Sequence, residues 1–207
     1  IAWARASELT NRRLLLVGSD MAVGKMTAGL EIWKSARAQG IQAEFLATGQ
    51  IGITISGTGI PLDAIRVDYA AGAVEKMVLG AADAALAIVE GQGSLLHPGS
   101  TSTLPLLRGA CPTHLILCHR AGMTELDTVG VTVKVPPLNE IIALYEDVAS
   151  ACGTYPRPVT VGIALNTAHL NDDQAHRAIS ETADTTGRLV LDPVRQGCDQ
   201  WVDALMA

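Results

Sequence analysis

Residues Leu14 to Thr27 read LLLVGSDMAVGKMT, and the order of residue types in that stretch decides the fold. The apolar run Leu14–Val17 has the length of a strand and passes without a spacer into glycine and small polar residues. Gly24-Lys25 then opens a run of good helix formers, so the reading is strand, phosphate loop, helix. Glycines let successive backbone N–H groups turn inward, the start of a helix adds the positive end of its dipole, and a lysine adds a mobile ammonium for phosphate oxygens. Gly18, Ser19, Asp20, Ala22, Val23, Gly24, Lys25, Met26 and Thr27 are therefore the candidate cofactor-binding residues.

Two departures from the G-x-x-x-x-G-K-[ST] pattern bear on the chemistry. Gly18 stands one residue early, so Ser19 takes the place of the first glycine. Met26 follows Lys25, and a thioether cannot hold Mg²⁺ where the pattern uses a hydroxyl. Thr27 lies about 100° further round the helix and is a poor substitute. The stretch reads as a phosphate cradle without a clear metal site, and no metal ligand is assigned.

Working outward, the 207 residues fit one α/β domain over 1–207, with 48% hydrophobic residues carried by Ala, Leu, Val and Ile and only 3% aromatic. A net charge of −6 without clustered Lys and Arg argues against a nucleic-acid or acidic-membrane surface, and leaves room for a small anionic ligand at a local positive site. Cys111, Cys118, Cys152 and Cys198 form no CxxC and no close Cys/His pair, which suggests reduced thiols in a cytoplasm. No apolar stretch approaches the length of a membrane span, and no signal peptide is visible. The chain begins at Ile1 and runs straight into a helical-looking AWARASEL, from which an upstream segment is expected.

Strands and helices alternate along the rest of the chain. A helix is expected over Thr27–Gln39, a strand over Gln42–Ala47, and a polar turn at Thr48-Gly49-Gln50-Ile51-Gly52. That turn falls at the carboxyl edge of a parallel sheet, where such folds bind ligands. Ile53 to Leu62, rich in Gly, Ser and Thr, suggests a mobile flap. Asp68 precedes the next helix, as a cap or as a ligand-facing acid. Ala84–Val89 reads as a strand buried on both faces, and it ends in Glu90-Gly91-Gln92-Gly93. An acid at the end of an apolar strand, beside a phosphate loop, makes Glu90 the foremost general-base candidate; Asp68 and His97 follow it. Thr48, Gly49, Gln50, Gln92, Gly93 and Arg120 are the candidate substrate-binding residues, with Arg120, like Arg66, suited to a carboxylate or phosphate. The stripe Leu138, Ile141, Ile142, Tyr145, Val148, Ala149 is helical core with no chemistry assigned. A strand over Val159–Leu165 ends at Asn166-Thr167, a place for an amide that reads a purine or a substrate, and Asn171 caps an acidic-fronted helix. Right-handed crossovers would assemble these elements into a mainly parallel sheet with helices on both faces.

GSDMAVGKMT, ATGQIG, VDYAAGAVEK, VEGQGSLLHPGS and ILCHRAG, in that order, resemble the carboxy-terminal domain of the DUF1611 family over roughly Leu14 to Asp192. The resemblance implies a three-layer P-loop NTPase-like α/β fold, an amino-terminal Rossmann-like domain upstream, a homo-oligomer, and D-glutamate (D-amino acid) N-acetyltransferase activity with acetyl-CoA as the phosphate-loop ligand. The loop is also similar to that of dethiobiotin synthetase, which implies instead a Mg-ATP-dependent ligase or kinase. Met26 favours acetyl transfer, since CoA phosphates need positive donors but no transition-state Mg²⁺. A CoA- or nucleotide-sensing module without turnover is the third reading.

Overall fold

In the computed structural model, which describes residues 1–207, six strands form one wholly parallel sheet. They are β1 (Arg12–Gly18), β2 (Ala43–Leu46), β3 (Leu86–Val89), β4 (His114–Arg120), β5 (Val159–Asn166) and β6 (Val190–Leu191), in the spatial order β2-β3-β1-β4-β5-β6. The helices are α1 (Lys25–Ala38), α2 (Gln50–Ser56), α3 (Val67–Gly80), α4 (Thr103–Ala110), α5 (Leu138–Ser150), α6 (Asp172–Thr186) and α7 (Asp199–Met206). No helix is long and apolar enough to cross a membrane.

Alternation along β1 divides the interior into two cores, because successive strand side chains point to opposite faces. Leu14 and Leu16 pack with Ile32 of α1 and Trp201 of α7. Leu15 and Val17 pack with Val74 of α3, Leu106 of α4 and Tyr145 of α5. Both faces of the strand are covered, which is why its sequence is a continuous apolar run. Close approach of α1 to β2 requires Gly29, where a Cβ would stand 2.9 Å from the Phe45 ring. At the opposite end of the sheet from the loops, Arg13 is buried with its Nε donating to the carbonyls of Ala110 and Cys111, the last carbonyls of α4.

The strand order places the chain's reversal beside β1, and ligands of open α/β sheets bind outside the carboxyl ends of strands at such a point. β2, β3 and β1 are neighbours there, so Thr48, Glu90 and the loop after Gly18 emerge side by side.

The stretch expected to be a polar turn and mobile flap is different. Gln50–Ser56 is helix α2, ended by Gly57 in the left-handed region. Its Thr54 and Ser56 hydroxyls donate to carbonyls one turn back, and of its residues Gly52 alone is buried. Helix α3 starts at Val67, so Asp68 lies inside its first turn, exposed, and its side chain makes no cap bond. Asn171 caps α6 with a capping box to Gln174.

Candidate functional site

The loop between β1 and α1 is built so that its donors face outward. No hydrogen bond within the protein uses the backbone N–H of Ala22, Val23, Gly24, Lys25, Met26 or Thr27. Ala22, with φ 52°, and Gly24, with φ 107°, hold left-handed conformations that turn these groups to one side. The open N–H groups and the start of α1 form an anion cradle. Lys25 is buried, and its ammonium donates to the carbonyl of Asp20 at 2.8 Å. Burial holds its pKa below the ordinary lysine value, opposed by the neighbouring Cys118 and Asp20.

Not every residue of the loop belongs to the cradle. The Ser19 N–H is taken by the Cys118 carbonyl at 3.0 Å, and the Met21 N–H by the Asp20 carboxylate at 2.7 Å. Gly18, Ser19 and Asp20 are buried under the loop and support it. The Ser19 hydroxyl lies 2.8 Å from His119 Nδ1. His119 is pushed down to about 4, first by burial and then by the adjacent Arg120, so the ring is neutral at neutral pH. Sequence reasoning passed over His119 because the apolar part of β4 ends at Cys118, whereas the strand itself runs on to Arg120.

Glu90 follows β3 directly and is 3% exposed. Its Oε2 accepts the N–H groups of Thr48 at 2.8 Å and Gly49 at 3.0 Å, and the Thr48 hydroxyl donates to the Glu90 carbonyl at 2.8 Å. Thr48 and Gly49 therefore hold the acid by their backbones. Burial raises the Glu90 pKa, and the two N–H donors pull against that rise. Its Oε1 has no donor within the protein and opens onto the same cleft as Lys25. The glycines around it are steric requirements. A Cβ at Gly52 would stand 2.3 Å from Oε2, and one at Gly91 would stand 1.7 Å from the Leu16 carbonyl and 2.8 Å from Lys25 Cδ.

Two cavities flank the loop. One is a cleft of about 590 Å³ between the loop, Gln50, Asp63, Glu90 and Gly91-Gln92-Gly93. The other is a slot of about 290 Å³ between Val23, Ala28, Ala164, Asn166 and the Pro193-Val194 turn, with Asp192 and Arg195 behind it. Gly24 and Thr27 line both. The slot is mostly apolar, and Asn166 accepts the Ala168 N–H through Oδ1, leaving its Nδ2 donor without a protein partner.

Of the expected site residues, Gln50, Gln92, Gly93, Met26 and Thr27 line the cleft with Glu90 and Lys25. The catalytic candidates Asp68 and His97, and the substrate-binding candidate Arg120, stand apart from it. Asp68 is exposed on α3, and the acid that lines the cleft is Asp63. His97 accepts the Gly99 N–H through Nδ1 at 3.0 Å and is bound through Nε2 to the Asp127 carbonyl at 3.1 Å, so neither ring nitrogen is left for proton transfer. Arg120 is exposed, its guanidinium 3.6 Å from Met123 Sδ, because alternation along β4 turns it away from the side taken by His119.

Comparisons with known proteins agree with this fold. The family profile described as a domain of unknown function, "DUF1611_C P-loop domain", matches residues 1–202. Two curated relatives, both named D-glutamate N-acetyltransferase, are 37% identical (Pseudoalteromonas) over 92% of this chain and 38% identical (Tritonibacter scottomollicae) over 95%. The chain spans 57% and 58% of their own length. A crystal structure of a DUF1611 family protein from Anabaena variabilis superposes with a TM-score of 0.96 at 50% identity, over all of this chain and 60% of that one. At the level of fold alone, the ATP complex of a McdA variant from Cyanothece superposes with a TM-score of 0.56 at 11% identity, over 93% of this chain and 88% of that one. The phosphate loop, the parallel sheet and the match over nearly the whole chain lead to one assignment: the chain belongs to the DUF1611 family and carries its P-loop domain.

Proposed function

We propose that this domain holds the phosphates of acetyl-CoA in the loop after β1 and supports transfer of the acetyl group to the α-amine of an acidic amino acid, with D-glutamate as the acceptor. The observation that carries the reading is a single cleft shared by the open N–H groups of the cradle, Lys25 and the free Oε1 of Glu90, with Met26 where a metal-holding hydroxyl would stand. The relatives' shared name supplies the reaction.

The residues present fit such a ligand. The N–H groups of Ala22 to Thr27 and the Lys25 ammonium would bind its phosphates, and the apolar slot with the spare Asn166 amide would take its adenine. Acetyl-CoA would supply an activated acyl thioester, whose C–S bond breaks as the new C–N bond forms, the sulfur leaving as CoA thiol with a proton returned from Glu90. Glu90, anchored through Oε2, takes a proton from the substrate ammonium at Oε1 and frees the nitrogen lone pair. The N–H groups of Gly91, Gln92 and Gly93 have no acceptor within the protein and would stabilise a developing oxyanion. Gln50 and Gln92, whose side chains line the cleft as Arg120 does not, would meet a substrate carboxylate.

The test is calorimetric titration of the protein with acetyl-CoA and with ATP, each with and without Mg²⁺, repeated on Lys25→Ala. Metal-independent acetyl-CoA binding that the variant loses supports the reading. A second reading, a Mg-ATP-dependent ligase or kinase, draws on the fold shared with an ATP-bound protein. ATP binding that needs Mg²⁺, with none for acetyl-CoA, would select it.

A further inference from the structure

Two hydrogen-bonded bridges join the phosphate loop to the segment that follows Glu90, and neither belongs to the wall of the ligand cleft. The first is Tyr145 of α5, fully buried under the loop. Its hydroxyl donates to the Gly18 carbonyl at 2.7 Å and accepts the Leu95 N–H at 3.0 Å. The second is the Asp127 peptide. Its N–H donates to Asp20 Oδ2 at 2.9 Å, and its carbonyl faces His97 Nε2 at 3.1 Å. Each bridge has one end on the loop that carries the cradle and the other on the stretch that leaves Glu90.

A phenol in a core satisfies its hydroxyl wherever a polar partner is available. Here it bonds two main-chain groups from two different functional loops, at the point where β1 turns into the cradle and shortly after the turn that carries Glu90. We propose that Tyr145 is a positioning residue that fixes the offset between the phosphate cradle and Glu90, with the Asp127 peptide as a second clamp. Anion binding on one loop is thereby mechanically coupled to the geometry of the acid on the other. The part of this inference that concerns turnover rests on the acetyl-transfer reading; the coupling of the two loops does not.

Tyr145→Phe keeps the ring in the core and removes only the hydroxyl. In hydrogen exchange followed by mass spectrometry, saturating inorganic pyrophosphate is expected to slow the Leu95-Leu96 amides of the unsubstituted protein and to leave them unslowed in the variant. Equal protection in both proteins overturns the proposal. In an acetyl-transfer assay below the melting transition, the variant is expected to lose about tenfold or more in kcat, with KM for acetyl-CoA changed less than about threefold. Placed on Glu90→Gln, the same change is expected to cost no further kcat, since the group being positioned is gone. A full kcat in folded Tyr145→Phe, or an equal loss in the Glu90→Gln background, rejects the positioning role. If the unsubstituted protein transfers no acetyl group, the reaction reading fails on its own and the exchange result decides the coupling.

Discussion

Glu90→Gln separates the chemistry of the site from its architecture. The amide oxygen of Gln takes the place of Oε2 and still accepts the Thr48 and Gly49 N–H groups, now at 2.8 and 3.0 Å from the carboxylate, so the loop geometry survives. What disappears, on the proposed reading, is the base, a carboxylate whose pKa burial holds above its ordinary value. General-base catalysis contributes about 10²–10⁴-fold, or about 3–5 kcal/mol of barrier, and that is the kcat loss expected at saturating substrate with KM little changed. Stability moves the other way. The raised pKa means that the folded protein prefers the neutral acid, so the ionised form is a net burden once the pH exceeds the ordinary carboxylate value. Glutamine mimics the neutral acid, and the variant is therefore more stable than the parent at pH 7–8 and loses that advantage as the pH falls toward 4. Steady-state kinetics and chemical denaturation at the two pH values test both halves. A variant that keeps its kcat within about threefold, or that is less stable than the parent at pH 8, refutes the reasoning.

Three further expectations follow from the same geometry. Gly52→Ala places a Cβ 2.3 Å from Glu90 Oε2 and drives the carboxylate off its two donors; two charge-assisted bonds less the helix-propensity gain cost about 2–4 kcal/mol, read as a lower denaturation midpoint together with lost turnover. His119, held down at about 4 against an ordinary 6.5, binds its proton only after unfolding throughout that window. The protein thus loses about 3 kcal/mol between pH 6.5 and 4, and His119→Gln flattens that slope in denaturation measured across the range. Gly91→Ala meets the Leu16 carbonyl at 1.7 Å, a clash with main chain on one side and the Lys25 stem on the other. It costs at least about 3 kcal/mol, checked by melting temperature, and weakens binding of phosphate-bearing ligands.

The sheet was legible wherever burial on both faces forced a continuous apolar run, as in Leu14–Val17 and in β4 and β5, and the N-cap of α6 was legible because Asn171 stands just ahead of the acidic first turn. Glu90 and Lys25 were legible as types at strand and loop ends. Helix α2 was not, since it buries only Gly52 and offers no apolar stripe to read. Tyr145 was hidden by its own helix: at core spacing a Tyr reads as Phe, and only the fold shows that its hydroxyl meets Gly18. Arg120 was a candidate and its neighbour His119 was not; strand alternation, invisible until β4 is known to reach both, turns Arg120 outward and His119 under the loop. Asp63 was passed over because it stands just past the glycine-, serine- and threonine-rich stretch Ile53–Leu62, in a short 3-10 turn that brings it to the cleft.

The slot and the cleft meet only at Gly24 and Thr27, which are walls of both. A small molecule confined to one compartment forgoes the contacts of the other, whereas a molecule that passes Gly24 and Thr27 reaches both. Joining a flat heterocycle for the Asn166 side to an acidic amine for the Glu90 side through an anionic linker turns the second contact into an intramolecular one, with an effective concentration set by the linker. A linker long enough to pass Gly24 and Thr27 is thus what a selective two-compartment inhibitor requires.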